Sequence, residues 1–327
     1  MTRRRVLTTG IALAAVVATG TAPATATSTP RSAPARPSAP GAAAKLPRTC
    51  LAEFTGTNPS GVVTAAVFGE GRFEKVPYAG WAISPAPRFV EPARFGVDGD
   101  EATMTSLVVL RDGTLQSVRA RVSGVGGVVG PNDLAPGARA VATAETTPAW
   151  RADKPVRIGH GWNGVRDLAL PGTDAAPYLF AVLGTRLNRY TLRADAKNDL
   201  VVRTGPHAAT AGFGGVRALT WTRETTVRGV RADVLIGLDG ARLREYTVPR
   251  KINPRVTTRT LASRGWGGVS HLDAGVCVTG SGAKARVTHE TPVLARVGRS
   301  VRLYVDRDNR NGSGTDIANH GQVGTWP

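Results

Sequence analysis

The chain has 327 residues, 42 Lys and Arg against 24 Asp and Glu, and a formal charge of +18 at pH 7. Its 39 glycines and 22 prolines fall at short intervals that exclude long helices. A charge of this sign draws acidic polymers. The arginines are nevertheless scattered among apolar residues with no run of five, so a nucleic-acid-binding tract is not expected.

Residues 1–26 read as a removable export signal. Basic "MTRRR" is followed by apolar "VLTTGIALAAVVATG" and by the small-x-small "ATA" of Ala24–Ala26. The apolar run is too short and too broken for a spanning helix, so no transmembrane anchor is expected. "TRRRVL" fits either an ordinary secretory signal or the twin-arginine type, with Arg3 and Arg4 as the pair. Residues 27–49, "TSTPRSAPARPSAPGAAAKLPRT", are Pro/Ala-rich with almost nothing to bury and are expected to form a disordered linker. These first 49 residues carry seven basic and no acidic side chains, which leaves +11 of the +18 on residues 50–327. That remainder is expected to fold as one domain of a secreted, monomeric protein.

From Cys50 onward the helical period is nearly absent. Runs such as "SLVVL", "LQSVRARV", "DVLIGL" and "RLREYTV" alternate apolar and polar residues, as half-buried antiparallel strands do. The class is all-β. Five hairpins share one plan, an apolar strand, a tight turn holding Gly71, Gly113, Gly184, Gly240 or Gly298, and a polar-alternating strand. Asp112-Gly113 and Asp239-Gly240 are the strongest of these signals, because Asp-Gly tolerates the positive φ of a type I′ turn.

Between the hairpins a glycine-flanked aromatic recurs. It is Trp162 in "GHGWNGV", Phe213 in "GFGGV" and Trp266 in "GWGGV", with a weak copy "GVGGV" at Gly124 and Val125 and a further candidate at Trp81 in "YAGWAI". These positions lie 37 to 53 residues apart, the length of one four-stranded propeller blade. A large ring wedged between crowded blades needs backbone without side chains on either side, which accounts for the flanking glycines.

"RIGHGWNGVRDLALPGTDAAPYLFAVLGTRLNRYTL", residues 157–192, resembles one repeat of the tachylectin-2 family, and the chain is also similar in style to exported FG-GAP-type propellers. The likeness covers that unit well, residues 212–249 and 265–305 moderately and the N-terminal half loosely. The resemblance implies a β-propeller of five blades of antiparallel sheet that binds N-acetylated amino sugars between blades. The units here are unequal in length, and no Asp-rich calcium loop repeats per blade as the FG-GAP type requires.

Two cysteines in an exported chain are most simply one disulfide, Cys50–Cys277. In a propeller, residues 50–79 could lend a strand to the last blade, and this bond would then lock the ring. The five histidines, His160, His207, His271, His289 and His320, show no metal spacing and are expected at loops or strand edges. No nucleophile elbow or phosphate loop occurs. Asp98, Asp100, Glu101, Asp167, Asp273 and Asp306 are available for glycoside hydrolysis, but no spacing selects a pair, so whether the protein is an enzyme stays open. "DRDNRNGSGTD" is similar to a calcium loop, with Asp306, Asp308, Asn309, Asn311 and Asp316 as donors; Arg310 breaks the alternate-ligand register, and an exposed Asn/Gly turn is the competing reading. Apart from that calcium, no cofactor is expected.

The leading expectation is a non-catalytic, lectin-like protein binding glycans or cell-wall polymers in clefts between blades. Trp162, Phe213 and Trp266 would act as stacking platforms or as core, with Asn163 and Asp167 as polar contacts at the mouth. The alternatives are a polysaccharide-acting propeller hydrolase or lyase and a basic adhesion protein held to acidic wall polymers by charge.

Overall fold

A computed structural model describes residues 47, 49–58, 60–84, 87–98, 101–123, 150–171, 178–194, 200–280 and 286–326. All belong to one unit, Ala42–Pro327. The expected signal peptide, most of the expected linker, and the weak anchor copy at Gly124 and Val125 lie outside the described residues.

Every element among the described residues is a strand. In chain order these are β1 (Cys50–Thr57), β2 (Val62–Gly69), β3 (Arg72–Ala82), β4 (Phe89–Asp98), β5 (Glu101–Val109), β6 (Leu115–Ser123), β7 (Arg151–Ala152), β8 (Val156–Gly159), β9 (Val165–Ala169), β10 (Tyr178–Leu183) and β11 (Arg186–Ala194). They continue with β12 (Leu200–Ala211), β13 (Val216–Val227), β14 (Val230–Asp239), β15 (Arg242–Pro249), β16 (Thr257–Ala262), β17 (Val269–Ala274), β18 (Val276–Thr279), β19 (Arg286–Val287), β20 (Thr291–Val297), β21 (Ser300–Asp306) and β22 (Ile317–Thr325).

The strands pair into antiparallel sheets of order β19-β18-β1-β2-β3, β4-β5-β6-β7 with β8 also on β6, β9-β10-β11-β12, β13-β14-β15-β16 and β17-β20-β21-β22. Their leading strands touch in a circuit: β1 meets β4, β4 meets β9, β9 meets β13, β13 meets β17, and β17 returns to β1. Sheets packed face to face around such a circuit form a β-propeller.

The apolar core follows the same division. One cluster joins Leu107, Val109 and Leu115 to Trp162, Val165 and Leu179 across consecutive sheets. The next joins Phe180 and Val182 to Phe213, Leu235 and Tyr246. A third joins Ile236 and Leu238 to Trp266, Leu272 and Val293. Inner strands thus bury both faces, β10 sending Leu179 to one cluster and Phe180 to the next, and β14 dividing Leu235 and Ile236 in the same way.

The hairpins form where expected, with a different turn chemistry. At Asp239-Gly240 the ladder runs to Asp239↔Arg242, so the turn residues are Gly240 and Ala241. Gly240 has φ 59° and Ala241 is not among the positive-φ residues, which is the type II′ pattern. Positive φ at both central residues, the type I′ pattern, occurs instead at Glu70-Gly71 and Arg228-Gly229.

Two expectations about the ring are corrected. The sheet β17-β20-β21-β22 is built wholly from the late part of the chain and borrows nothing from residues 50–79. The exchange runs the other way, because β18, arriving after β17, pairs with β1 at Cys50↔Cys277 and Leu51↔Val276. Gly275 makes this possible: a Cβ there would stand 1.8 Å from the Leu51 carbonyl oxygen, so only glycine lets the chain pass onto β1. The Cys50–Cys277 disulfide sits in this two-residue pairing and closes a separation of 227 residues. The second correction concerns Trp81. It lies inside β3, fully buried with its ring 6.4 Å from that of Trp150, and not in a loop before a leading strand.

Candidate functional site: the blade joints and the central carboxylates

The glycine-flanked aromatics build one structure several times. The Trp162 N–H donates to the Gly113 carbonyl at 3.0 Å, Phe213 to Thr185 at 3.0 Å and Trp266 to Ala241 at 3.3 Å, each time reaching the hairpin turn of the preceding sheet. Each aromatic carbonyl then accepts from the residue three further on, Val165, Val216 or Val269, which starts the leading strand. The rings pack on a tyrosine of their own sheet: Trp162 on Tyr190 at 5.0 Å, Phe213 on Tyr246 at 4.8 Å and Trp266 on Tyr304 at 4.5 Å. They are 6, 3 and 6% exposed. The rings therefore fill the joints, and little of any ring face is open to a ligand.

Arginines staple the same loops. Arg88 donates to the carbonyls of Asn163 at 2.6 Å and Val165 at 2.8 Å. Arg166 donates to Gly214. Arg217 reaches Gly240 at 3.2 Å, Trp266 at 2.6 Å and Gly267 at 3.0 Å. A guanidinium fork suits this task because its donors lie in one plane and engage several carbonyls at once. The glycines have a second use here, since a loop without side chains leaves its carbonyls accessible. In the sequence the arginines are simply scattered among apolar residues; the signal overlooked was "GVR" at 164–166 and again at 215–217.

Asn163 is exposed beside Trp162 at the joint. Asp167 is not at that mouth. It is 5% exposed, and its Oδ2 accepts from the Leu219 N–H of the next leading strand at 2.6 Å. It belongs to a set of acids on the leading strands, Glu53 of β1, Glu91 of β4, Asp167 of β9 and Asp273 of β17. Asp273 Oδ1 accepts from the Thr220 hydroxyl at 3.1 Å and from the Ala274 N–H at 2.9 Å, and Glu91 accepts from the Leu170 N–H. Each bond from Asp167, Asp273 and Glu91 to a neighbouring leading strand ties strands that share no ladder.

Burial pushes Asp167 up to about 7 against the opposing Leu219 and Leu168 N–H groups. Glu91 is raised well above the carboxylate range by burial first and then by the charges of Asp273 and Asp167. Asp273 is raised likewise, by burial and by Glu53, while the Thr220 hydrogen bond opposes the shift. Of the six carboxylates nominated from sequence, the structure brings only Asp167 and Asp273 together. Glu101 opens β5, Asp306 closes β21, and Asp100 and the Asp98 side chain lie outside the described residues. Glu53 and Glu91 were missed, although each is an acid within an otherwise apolar leading strand, "CLAEF" and "FVEPA".

The segment from Asp306 to Asp316 folds as a turn that spends its polar groups on itself and on Thr291. Asn309 Nδ2 donates to the Thr291 hydroxyl at 2.7 Å, and Asn311 Nδ2 donates to Asp316 Oδ2 at 2.8 Å. Asp306 and Asp308 accept from the N–H groups of Asp308 and Arg310. Asp306 is pushed up to about 6 by burial and by Asp316. Among the described residues, Cys50, Cys277 and Glu290 are the acidic, His or Cys donors that lie close enough together for one ion, and the two sulfurs are joined in the disulfide. His271, expected at a loop or strand edge, lies half-buried in β17, the first strand of its sheet, and desolvation with Arg296 nearby lowers it to about 4.

No protein-family model matches the chain and no curated protein does. Among the described residues no helix is long and apolar enough to cross a membrane.

Proposed function

We propose that this is a secreted, non-catalytic binding protein, a five-bladed ring whose ligand sites are the exposed polar surfaces of the blade joints, with carbohydrate as the ligand class. The observation that carries the reading is repetition: an aromatic anchor, a glycine-flanked loop and an arginine held on that loop's carbonyls recur at successive joints on one rim. Similar weak sites repeated around a ring gain avidity for a multivalent glycan surface. The tachylectin-2 resemblance supplies N-acetylated amino sugars as the first candidates. Because the rings are buried, Asn163 and the exposed edges of the arginine-stapled loops carry the recognition, and the aromatics hold those groups in place. The disulfide suits an oxidising compartment.

A glycan array probed with the mature protein at low and high salt tests this. Salt-resistant binding to a narrow set of amino sugars is the expected result. Binding to every acidic glycan that vanishes in salt would leave charge as the function.

One observation favours a second reading, a polysaccharide hydrolase. Glu53, Glu91, Asp167 and Asp273 approach one another, and Glu91, Asp167 and Asp273 hold their protons more tightly than ordinary carboxyls, as members of acid and base pairs do. Release of reducing ends from an array-positive polysaccharide, abolished by Glu91→Gln, would establish it.

A further inference from the structure

Four large apolar side chains are exposed among the described residues, and three of them occupy one corner: Val227 and Val230 at 36% and Ile252 at 78%, with Val287 elsewhere. Val227 and Val230 are paired across the tight turn Arg228-Gly229 that joins β13 to β14. Ile252 follows β15 in a loop docked on that hairpin, since the Arg250 N–H donates to the Arg231 carbonyl at 2.7 Å. This is the far end of the sheet from the joint rim, where the Gly240 N–H meets the Gly215 carbonyl.

The excess charge around the tip is positive. Arg228, Arg231 and Lys251 are exposed. The acids nearby are already held, Glu224 by Arg231 at 2.7 Å and Arg250 at 2.8 Å, and Asp233 by Arg250 at 2.7 Å. Arg228 and Lys251 therefore present excess positive charge beside aliphatic side chains that gain nothing from water.

We propose that this tip, Val227, Val230 and Ile252 flanked by Arg228 and Lys251, seats on an anionic phospholipid surface. An acidic polymer would use the cations and leave the aliphatics in water. A lipid interface takes both, with the apolar groups entering the acyl boundary and the cations meeting the headgroups. The tip and the joint rim lie at opposite ends of one sheet, so lipid and rim ligand do not compete. The inference does not depend on the rim ligand being a sugar.

Co-sedimentation with vesicles of equimolar phosphatidylglycerol and phosphatidylcholine, against pure phosphatidylcholine, is the test. Binding to the anionic vesicles alone is expected. Arg228→Ala with Lys251→Ala should weaken it about thirtyfold, and Ile252→Asp about tenfold. All are surface changes whose melting curves should match the unaltered protein. In Ile252→Trp, whose tip tryptophan enters the interface, emission should shift to the blue on binding. Absence of binding to anionic vesicles, binding that Ile252→Asp leaves intact, or sedimentation velocity showing that the tip instead pairs two copies of the chain would each overturn the proposal.

Discussion

The backbone N–H of Trp326 donates to the carbonyl of Arg299 at 2.7 Å, the bond that Trp162, Phe213 and Trp266 make to the turns before them. Trp326 follows β22, yet its indole is 2% exposed in a cluster with Ala52, Ala66 and Phe68 of the first sheet and Leu294 and Val301 of the last. Gly56 of β1 approaches it so closely that a Cβ there would lie 2.9 Å from the ring. Trp326 is thus the anchor of the joint between the last sheet and the first, and the repeat closes on itself there.

Trp326→Ala should therefore cost about as much as an internal anchor, roughly 3–5 kcal/mol, because it empties a joint core. Urea unfolding of Trp326→Ala beside Trp266→Ala checks this. A loss under about 1 kcal/mol, the ordinary effect of a surface change, would show the closing joint to be loose.

The disulfide acts at the same seam. Replacing both Cys50 and Cys277 with Ser should lower stability by up to about 5 kcal/mol, the chain-entropy limit for so long a loop. Thermal melts with and without a dithiol reductant should separate for the unaltered protein and coincide for the double variant. Thiol counting after denaturation without reductant should find none.

Much of this was legible in the sequence. Glycine-flanked Trp162, Phe213 and Trp266 and the hairpin glycines announced an all-β repeat, because close backbone approach and tight turns leave few residue choices. The closing anchor was not legible. Trp326 has Gly324 before it, but the leading strand it packs on, β1, lies more than 260 residues away in sequence, and only the ring brings the two together. Asp167 was misplaced for a related reason: nearness in sequence to Trp162 suggested the mouth, whereas two residues along a strand reach the other end of the joint. Glu53 and Glu91 could be linked to Asp273 only by the meeting of strands more than a hundred residues apart.

The arginine staples set a test of residue chemistry. Arg217→Ala removes charge-assisted bonds to three carbonyls and should cost about 2 kcal/mol. Arg217→Lys should recover little, since an ammonium cannot span the same carbonyls. Denaturant midpoints of the two variants decide it, and full recovery by Lys would reduce the staple to a simple charge.

The central acids and His271 give opposite pH dependences. Asp167 holds its proton up to about 7 in the folded protein against an ordinary 3.8. Its stabilisation is complete at low pH and is lost as pH rises through 7, on the order of 4 kcal/mol in all; Glu91 and Asp273 act in the same direction. His271 is lowered to about 4 from 6.5, so its contribution is present above 6.5 and is lost as pH falls toward 4. Asp167 tilts the unfolding free energy downward between about pH 3.8 and 7, and His271 tilts it upward between about 4 and 6.5, so the two oppose each other there. Asp167→Asn should therefore make stability rise more steeply with pH across 4–6.5, and His271→Asn should make it fall more steeply. Unfolding free energies from pH 4 to 8 for the three proteins test the assignment, and an unchanged slope between pH 4 and 7 in Asp167→Asn would refute it.

The repeated joints make one measurement decisive. Calorimetric titration of the mature protein with an N-acetylated amino-sugar oligomer at high salt counts the sites. The expected result is more than one site per chain, with Asn163→Ala weakening the one at the Trp162 joint. A single site, or heat that disappears once salt screens the charge, would contradict the joints as the seat of recognition.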